Sequence, residues 1–330
     1  MRVCIVGAGA IGGLLAARLA LSGQQVSVFA RGDNLEAITA RGLRLTEPDG
    51  SVAVATGIEA SDDLRRLGPH DLVVLALKAH QIAAIADDLP LLYDAGTVVL
   101  PLQNGVPWWF FQKFPGPFAG HRLRSLDPDG ALERSIPVDR IVGSIAYPAA
   151  DRHAPGAVRL VEGDRFPVGE LDGARSPRAG AISEVLSHAG FTSRVLTDIR
   201  SHLWVKAWGN LAMNPISALT GATLAEICRF PATRALAARM MLEASDIAEK
   251  LGLRLRLSVE QRIVGAEKVG DHKTSMLQDR EAGRRLEIDP LVGVFVELGE
   301  LTGTPTPATT TVFEMVSLLD SLQVGAAASR

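Results

Sequence analysis

The apolar positions of the first hundred residues come in short unbroken runs, each followed by a helical pattern. "RVCIVGAG" ends in glycine, as a strand buried on both faces does. Residues 11–22 carry apolar side chains at helical spacing. "QQVSVFAR" predicts a second strand, and "LRLTEPDGSVAVA" a hairpin turning at Pro48, Asp49 and Gly50. "DLVVLALK" reads as another buried strand, 79–90 as a helix and "GTVVLPLQNG" as a further strand. Such alternation predicts a parallel sheet with helices on both faces.

The pattern changes at 106–140. "PWWFFQKFPGPFAGHRLRSLDPDG" mixes aromatics with prolines and glycines and reads as a long loop or lid. "RIVGSIAYP", "GAVRLVEG" and "RFPVGELDG" predict antiparallel strands that extend the sheet. A helix at about 178–189 and a strand "FTSRVL" close this half. From Asp198 onward the spacing is helical, over 199–214, 217–229, 231–252, 257–269, 276–302 and 308–322. The last residues, "GAAASR", are expected to fray.

Composition narrows the class. The chain has 330 residues, 47% hydrophobic and 22% charged, as soluble globular chains do. A formal net charge of -3 gives no basic surface for nucleic acid. No apolar run is long enough to cross a bilayer. "RVCIVG" follows Met1 too closely to leave room for a signal peptide, so a cytoplasmic location is expected. Cys4 and Cys228 are far apart and read as small apolar fillers, not as a disulfide framework. No metal site is predicted.

The first candidate chemistry is the glycine pattern. Gly7, Gly9 and Gly12 form G-x-G-x-x-G directly after a strand and at the start of a helix. In that context Gly7 permits a tight turn, Gly9 lets the backbone approach a pyrophosphate, and Gly12 lets helix and strand pack closely. The helix start offers unpaired N–H groups to phosphate oxygens, so Gly7, Ala8, Gly9, Ala10, Ile11 and Gly12 are candidate cofactor contacts. The second strand ends in Phe29-Ala30-Arg31. An acid there would bond the ribose of NAD; a guanidinium suits the 2′-phosphate of NADP(H). Asp33 lies nearby. Lys78 and Gln81 follow the strand "DLVVLAL" and Asn104 the next one, at ends where cofactors of open α/β sheets bind. Helix-start solvation explains the first two equally well, and an Asn-Gly turn the third. The fold class is therefore α/β: a Rossmann-type N-terminal domain with a mostly parallel sheet over 1–196, then an all-helical C-terminal domain over 197–330.

The second candidate is "HLWVKAWGNLAMNP" at 202–215. On a helix, Lys206, Asn210 and Asn214 share one stripe, and every other stripe is apolar. Burying an ammonium is costly unless it is paired or can lose its proton. A lysine so placed is a usable proton donor near neutral pH. The alternative is a lysine that snorkels to the surface or pairs structurally; Asn214, before Pro215, could simply end the helix. In "TSMLQDREAGRRLEID", Ser275 with Gln278 has the form of a capping box, though a hydroxyl at a helix start also suits a carboxylate. Glu287 lies about three turns further on. It could balance Lys206, or pair with Arg284 at the surface.

Together "GAGAIGG", "LKAHQ", "QNG", "KAWGNLAMNPISALT" and "SMLQDREAGRRLEID" resemble the ketopantoate reductase (2-dehydropantoate 2-reductase) family, in order and over nearly the whole chain. The resemblance implies an active site in a cleft between the two domains. It implies NADPH-dependent reduction of the 2-oxo group of ketopantoate to pantoate, on the route to pantothenate and coenzyme A. Lys206 matches the family's general acid, Asn210 and Asn214 its substrate-binding asparagines, and Ser275 a serine that binds the substrate carboxylate. Glu287 matches an active-site glutamate, Arg31 and Gln81 the 2′-phosphate region, and Lys78 and Asn104 cofactor contacts. Leu224 departs from the best-known members, which have a further asparagine there, and 106–140 is longer than their loop; a paralogous subgroup has these traits. The rivals are a reductase of another 2-oxo acid or of an imine, and a non-catalytic NADP-sensing protein. The sequence does not fix the oligomeric state; the long apolar C-terminal helices are compatible with a homodimer.

Overall fold

A computed structural model describes residues 1–328. The chain divides into two compact units. One comprises Met1–Gln103, Phe111–Arg122 and Asp129–Ile199; the other comprises Asn104–Phe110, Leu123–Pro128 and Arg200–Arg330. The main break falls after Ile199, close to the expected boundary near residue 196, and two short pieces of the 106–140 segment belong with the helices.

In the first unit, five short strands, apolar except for the edge strand Glu59–Ser61, form an all-parallel sheet. They are β1 (Arg2–Val6), β2 (Gln25–Phe29), β5 (Glu59–Ser61), β6 (Leu72–Leu75) and β7 (Val98–Pro101), in the order β5-β2-β1-β6-β7. Connection reverses direction between β1 and β6, the switch point at whose carboxyl side dinucleotides bind. The helix α1 (Ala10–Leu21) packs between this sheet and a second one. Gly12 faces the first sheet and Gly13 the second, where Val158 Cγ1 lies 2.7 Å from the point a β-carbon would occupy.

That second sheet corrects the expectation of one extended sheet. Its order is β4-β3-β10-β9, built from the predicted hairpin β3 (Leu43–Thr46) and β4 (Val52–Ala55) with β9 (Ala149–Ala154) and β10 (Ala157–Glu162). β10 pairs parallel with β3 and antiparallel with β9. "RIVGSIAYP" and "RFPVGELDG" supply only the two-residue strands β8 (Gly143–Ser144) and β11 (Val168–Gly169), paired with each other. "FTSRVL" makes isolated parallel bridges at Thr192 and Val195 instead of a strand. The 79–90 helix is a single α-turn, Ala79–Ile82, followed by a tighter 3-10 stretch, Ala83–Leu92.

The 106–140 segment is the expected long loop, without helix or strand until Ala131–Ser135, but it is packed inward. Trp108, Trp109, Phe110 and Phe111 are buried. In the helical unit, Arg200 Nε donates to the Phe110 carbonyl (2.7 Å), and Glu297 accepts from the backbone N–H groups of Arg124 and Ser125 (2.7 and 2.9 Å). The loop's aromatics are core residues, and its prolines and glycines lie in the turns between them.

The helical unit is built around Ile199–Thr220, which runs through Pro215 instead of stopping at Asn214. Leu224–Arg229, Pro231–Lys250 and Val259–Lys268 follow. The predicted 276–302 helix is three pieces. Ser275–Glu281 ends before Gly283, whose φ of +66° breaks the helical path; a π-helical turn, Asp289–Gly293, then leads into Val294–Thr302. The last helix, Pro307–Ala328, carries most of "GAAASR", and residues 329–330 lie outside the described residues.

Candidate active site

At the carboxyl end of β1 the three glycines take three different parts. Gly7 has a φ of +110°, and a β-carbon there would lie 2.9 Å from the Leu77 backbone nitrogen. At Gly12 a β-carbon would collide with the Gly7 carbonyl oxygen. Gly9 caps α1 with extended backbone, and a β-carbon there would meet nothing within 4 Å. The loop is therefore closed where the chain must pack and open in front of the helix start. That open space beside unpaired N–H groups fits a pyrophosphate.

Arg31 is the N-cap of α2 (Gly32–Arg41), exposed, with its guanidinium carbon 5.0 Å from the centroid of the Phe29 ring. It forms no ion pair among the described residues. A stacked guanidinium without a carboxylate partner fits a 2′-phosphate. Gln81 is exposed, and its Oε1 accepts from the Lys78 N–H (3.2 Å), so it caps the short helix after β6. Two residues that sequence reasoning passed over hold this crevice together. Asn34, buried in α2, donates to the Ala8 carbonyl (2.9 Å). Gln103 Nε2 donates to the Leu75 and Leu77 carbonyls (2.8 and 3.3 Å), at the end of β6. An amide placed where its neighbours are apolar was the available signal for Asn34.

In the helical unit the stripe expected on Ile199–Thr220 is present. Leu203, Trp204, Ala207, Trp208, Leu211, Ala212 and Met213 are buried. Lys206 keeps part of its surface but points its amine at Asn104, whose Oδ1 accepts from Nζ at 2.7 Å. Burial lowers the Lys206 pKa from 10.5 to about 8, and the negative charge of Glu287 opposes that shift. Asn104 thus meets the lysine across 102 residues of sequence, a partnership the strand-end reading did not foresee.

The next residues explain how Asn104 and Glu287 come to flank one amine. Gly105 has a φ of +86°, and a β-carbon there would lie 1.9 Å from the Pro290 carbonyl oxygen. Val106 N–H donates to that same oxygen (3.0 Å). The backbone after Asn104 is docked on the π-helical turn that begins just beyond Glu287, and such turns often mark functional sites. Glu287 is not on the Ser275 helix, as sequence spacing suggested. Arg284, its suggested surface partner, is bound to Asp279 instead (2.8 Å).

Asn210 is half-buried and Asn214 is 6% exposed, yet neither amide has a hydrogen-bond partner among the described residues. Thr274, not Ser275, is the N-cap of the following helix, accepting from Leu277 N–H (3.2 Å). Ser275 is exposed and has no hydrogen bond to Lys206, Asn210 or Asn214. Its helix is tied to the lysine helix through Arg280, which donates to the Ala218 carbonyl (2.6 Å).

A dinucleotide crevice in one unit and a desolvated, carboxylate-facing amine in the other define a class: an NADP-dependent oxidoreductase with a Rossmann-type domain. Residues 3–173 match the family model "Ketopantoate reductase PanE/ApbA", and residues 198–320 match the model of its C-terminal part. The chain belongs to the ketopantoate reductase family. It is 51% identical over 320 residues to the 2-dehydropantoate 2-reductase of Mesorhizobium japonicum, covering 97% of this chain and 98% of that one. A crystal structure of a candidate ketopantoate reductase from Ralstonia solanacearum MolK2 superposes with a TM-score of 0.93 at 40% identity, covering 97% and 98% of the two chains. D-mandelate dehydrogenase, in a ternary structure with NADH and anilino(oxo)acetate, shares the fold (TM-score 0.83, 23% identity, 98% and 99% covered).

Proposed function

We propose that this chain reduces the 2-oxo group of ketopantoate with NADPH, forming pantoate for pantothenate and coenzyme A synthesis. The observation that carries the reading is Lys206: an amine desolvated on the one polar stripe of a buried helix, held by Asn104 and opposed in charge by Glu287. Bound NADPH supplies the hydride. Lys206 Nζ gives its proton to the carbonyl oxygen as that oxygen gains charge, and its positive charge favours the same oxygen. Glu287 keeps the amine protonated near neutral pH. Asn210 and Asn214, with amides unengaged by protein, hold the substrate hydroxyl, and Ser275 its carboxylate. Gly7, Ala8, Gly9, Ala10, Ile11 and Gly12 cradle the pyrophosphate, while Arg31 takes the 2′-phosphate. Gln81 bounds the adenosine end and Lys78 the ribose. Asn104 adds a cofactor contact to its bond with Lys206.

The purified protein, given ketopantoate and a panel of other 2-oxo acids and imines, tests the reading through NADPH absorbance. Ketopantoate is expected to give the highest kcat/KM. Faster turnover of another oxo acid would point to a paralogous reductase, and no oxidation with any would leave a sensor. The reading places the enzyme in the cytoplasm, where free buried cysteines such as Cys4 and Cys228 persist. Among the described residues, no helix is long and apolar enough to cross a membrane. We also propose a homodimer through the last helix, whose Met315, Leu318 and Leu322 form an exposed apolar stripe.

A further inference from the structure

Asn34 is the third residue of α2 and is buried. Both ends of its amide are used. Nδ2 donates to the Ala8 carbonyl at 2.9 Å, and Oδ1 accepts from the Gly156 N–H at 2.8 Å. Gly156 lies in the turn between β9 and β10, and its own carbonyl accepts from Arg44 N–H (2.8 Å). A single side chain therefore ties the glycine loop of the first sheet to a turn of the second.

The bond to Ala8 matters because of what the peptide plane does next. The Ala8–Gly9 peptide is trans, so the Ala8 oxygen and the Gly9 N–H point in opposite directions. Fixing the oxygen on Asn34 fixes the N–H on the other side. A flip of this peptide changes ψ of Ala8 and φ of Gly9, and glycine at position 9 tolerates the positive φ that results. In the flipped state the Ala8 oxygen would stand where the Gly9 N–H stands, and a carbonyl would face the phosphate oxygens in place of a donor.

We infer that Asn34 is a positioning residue for the cofactor: it locks the Ala8–Gly9 peptide in the orientation that presents N–H to the pyrophosphate. The inference rests on the reading that NADP(H) binds at Gly7–Gly12. Both ends of the Asn34 amide are taken by backbone, so it acts on the cofactor through the Ala8–Gly9 peptide. Its effect belongs to the pyrophosphate and not to the 2′-phosphate held by Arg31.

Fluorescence titration of the full chain separates these roles, with thermal melting to confirm that each variant is folded. Asn34→Asp keeps the acceptor for Gly156 and removes the donor to Ala8; Asn34→Ala removes both. The Kd for NADPH is expected to rise about tenfold in each, the size of one hydrogen bond. The Kd for adenosine 2′-phosphate, which lacks a pyrophosphate, is expected to stay at the wild-type value, as is kcat at saturating NADPH. An unchanged NADPH affinity overturns the inference. So does an equal loss for both nucleotides, the mark of a general structural defect. Gly9→Val separates the inference from the reading beneath it. Its side chain fits the open space in front of α1 and should abolish NADPH binding, whereas normal binding would overturn the placement of the cofactor itself.

Discussion

Lys206 combines two opposed demands. It must lose hydration to become a good acid, and it must keep its proton until the carbonyl needs it. Burial meets the first and Glu287 the second. The acid form is the active one, so kcat/KM is expected to be level below pH 8 and to fall tenfold per pH unit above it. Glu287→Gln removes the charge that raises the pKa, so the falling limb should move to lower pH. A rate still level at pH 10, or a limb that stays in place in Glu287→Gln, would contradict this assignment. The lysine was legible in the sequence because i, i+4 spacing alone set Lys206, Asn210 and Asn214 on one stripe. Asn104 was legible as a residue but not as a partner of Lys206, because no local pattern joins positions so distant in the chain.

At the scale of elements, the site depends on one close approach. Gly105 lets the strand-end loop lie against the π-helical turn at Asp289–Gly293, and so sets Asn104 and Glu287 about the same amine. Gly105→Ala would strain a positive φ and drive a methyl into the Pro290 carbonyl, and is expected to cost about 1–3 kcal/mol of stability. It should also lower kcat and move the pH limb downward as Glu287 withdraws. Melting and a pH profile of the same preparation check both, and wild-type values in each would show that the contact is idle. Periodicity located the apolar strands and the C-terminal helices, but not the polar helix Gly32–Arg41 or the edge strand β5, and not the pairings of the second sheet. β9 and β10 join β3 in a second sheet that packs on α1 where Gly13 lies against Val158, a contact visible only in three dimensions. The 276–302 pattern looked continuous because its apolar spacing survives the interruption at Gly283. The 106–140 segment is the loop its composition suggests up to Ala131, but composition did not reveal that Trp109 and Phe110 are core.

At the scale of the whole molecule, the exposed stripe of Met315, Leu318 and Leu322 bears on assembly. An adjoining face of the same helix, at Val312 and Val316, is already buried within the chain. Light scattering is expected to give twice the 35.0 kDa chain mass. Leu318→Glu with Leu322→Glu should return it to the single-chain value, whereas a wild-type protein already at that value would remove the dimer. The central claim is that Lys206 donates the proton. Single-turnover oxidation of bound NADPH by ketopantoate in Lys206→Ala tests it most directly. The account predicts a rate lower by about 10²–10⁴-fold with NADPH affinity close to wild type; a rate near wild type would contradict it.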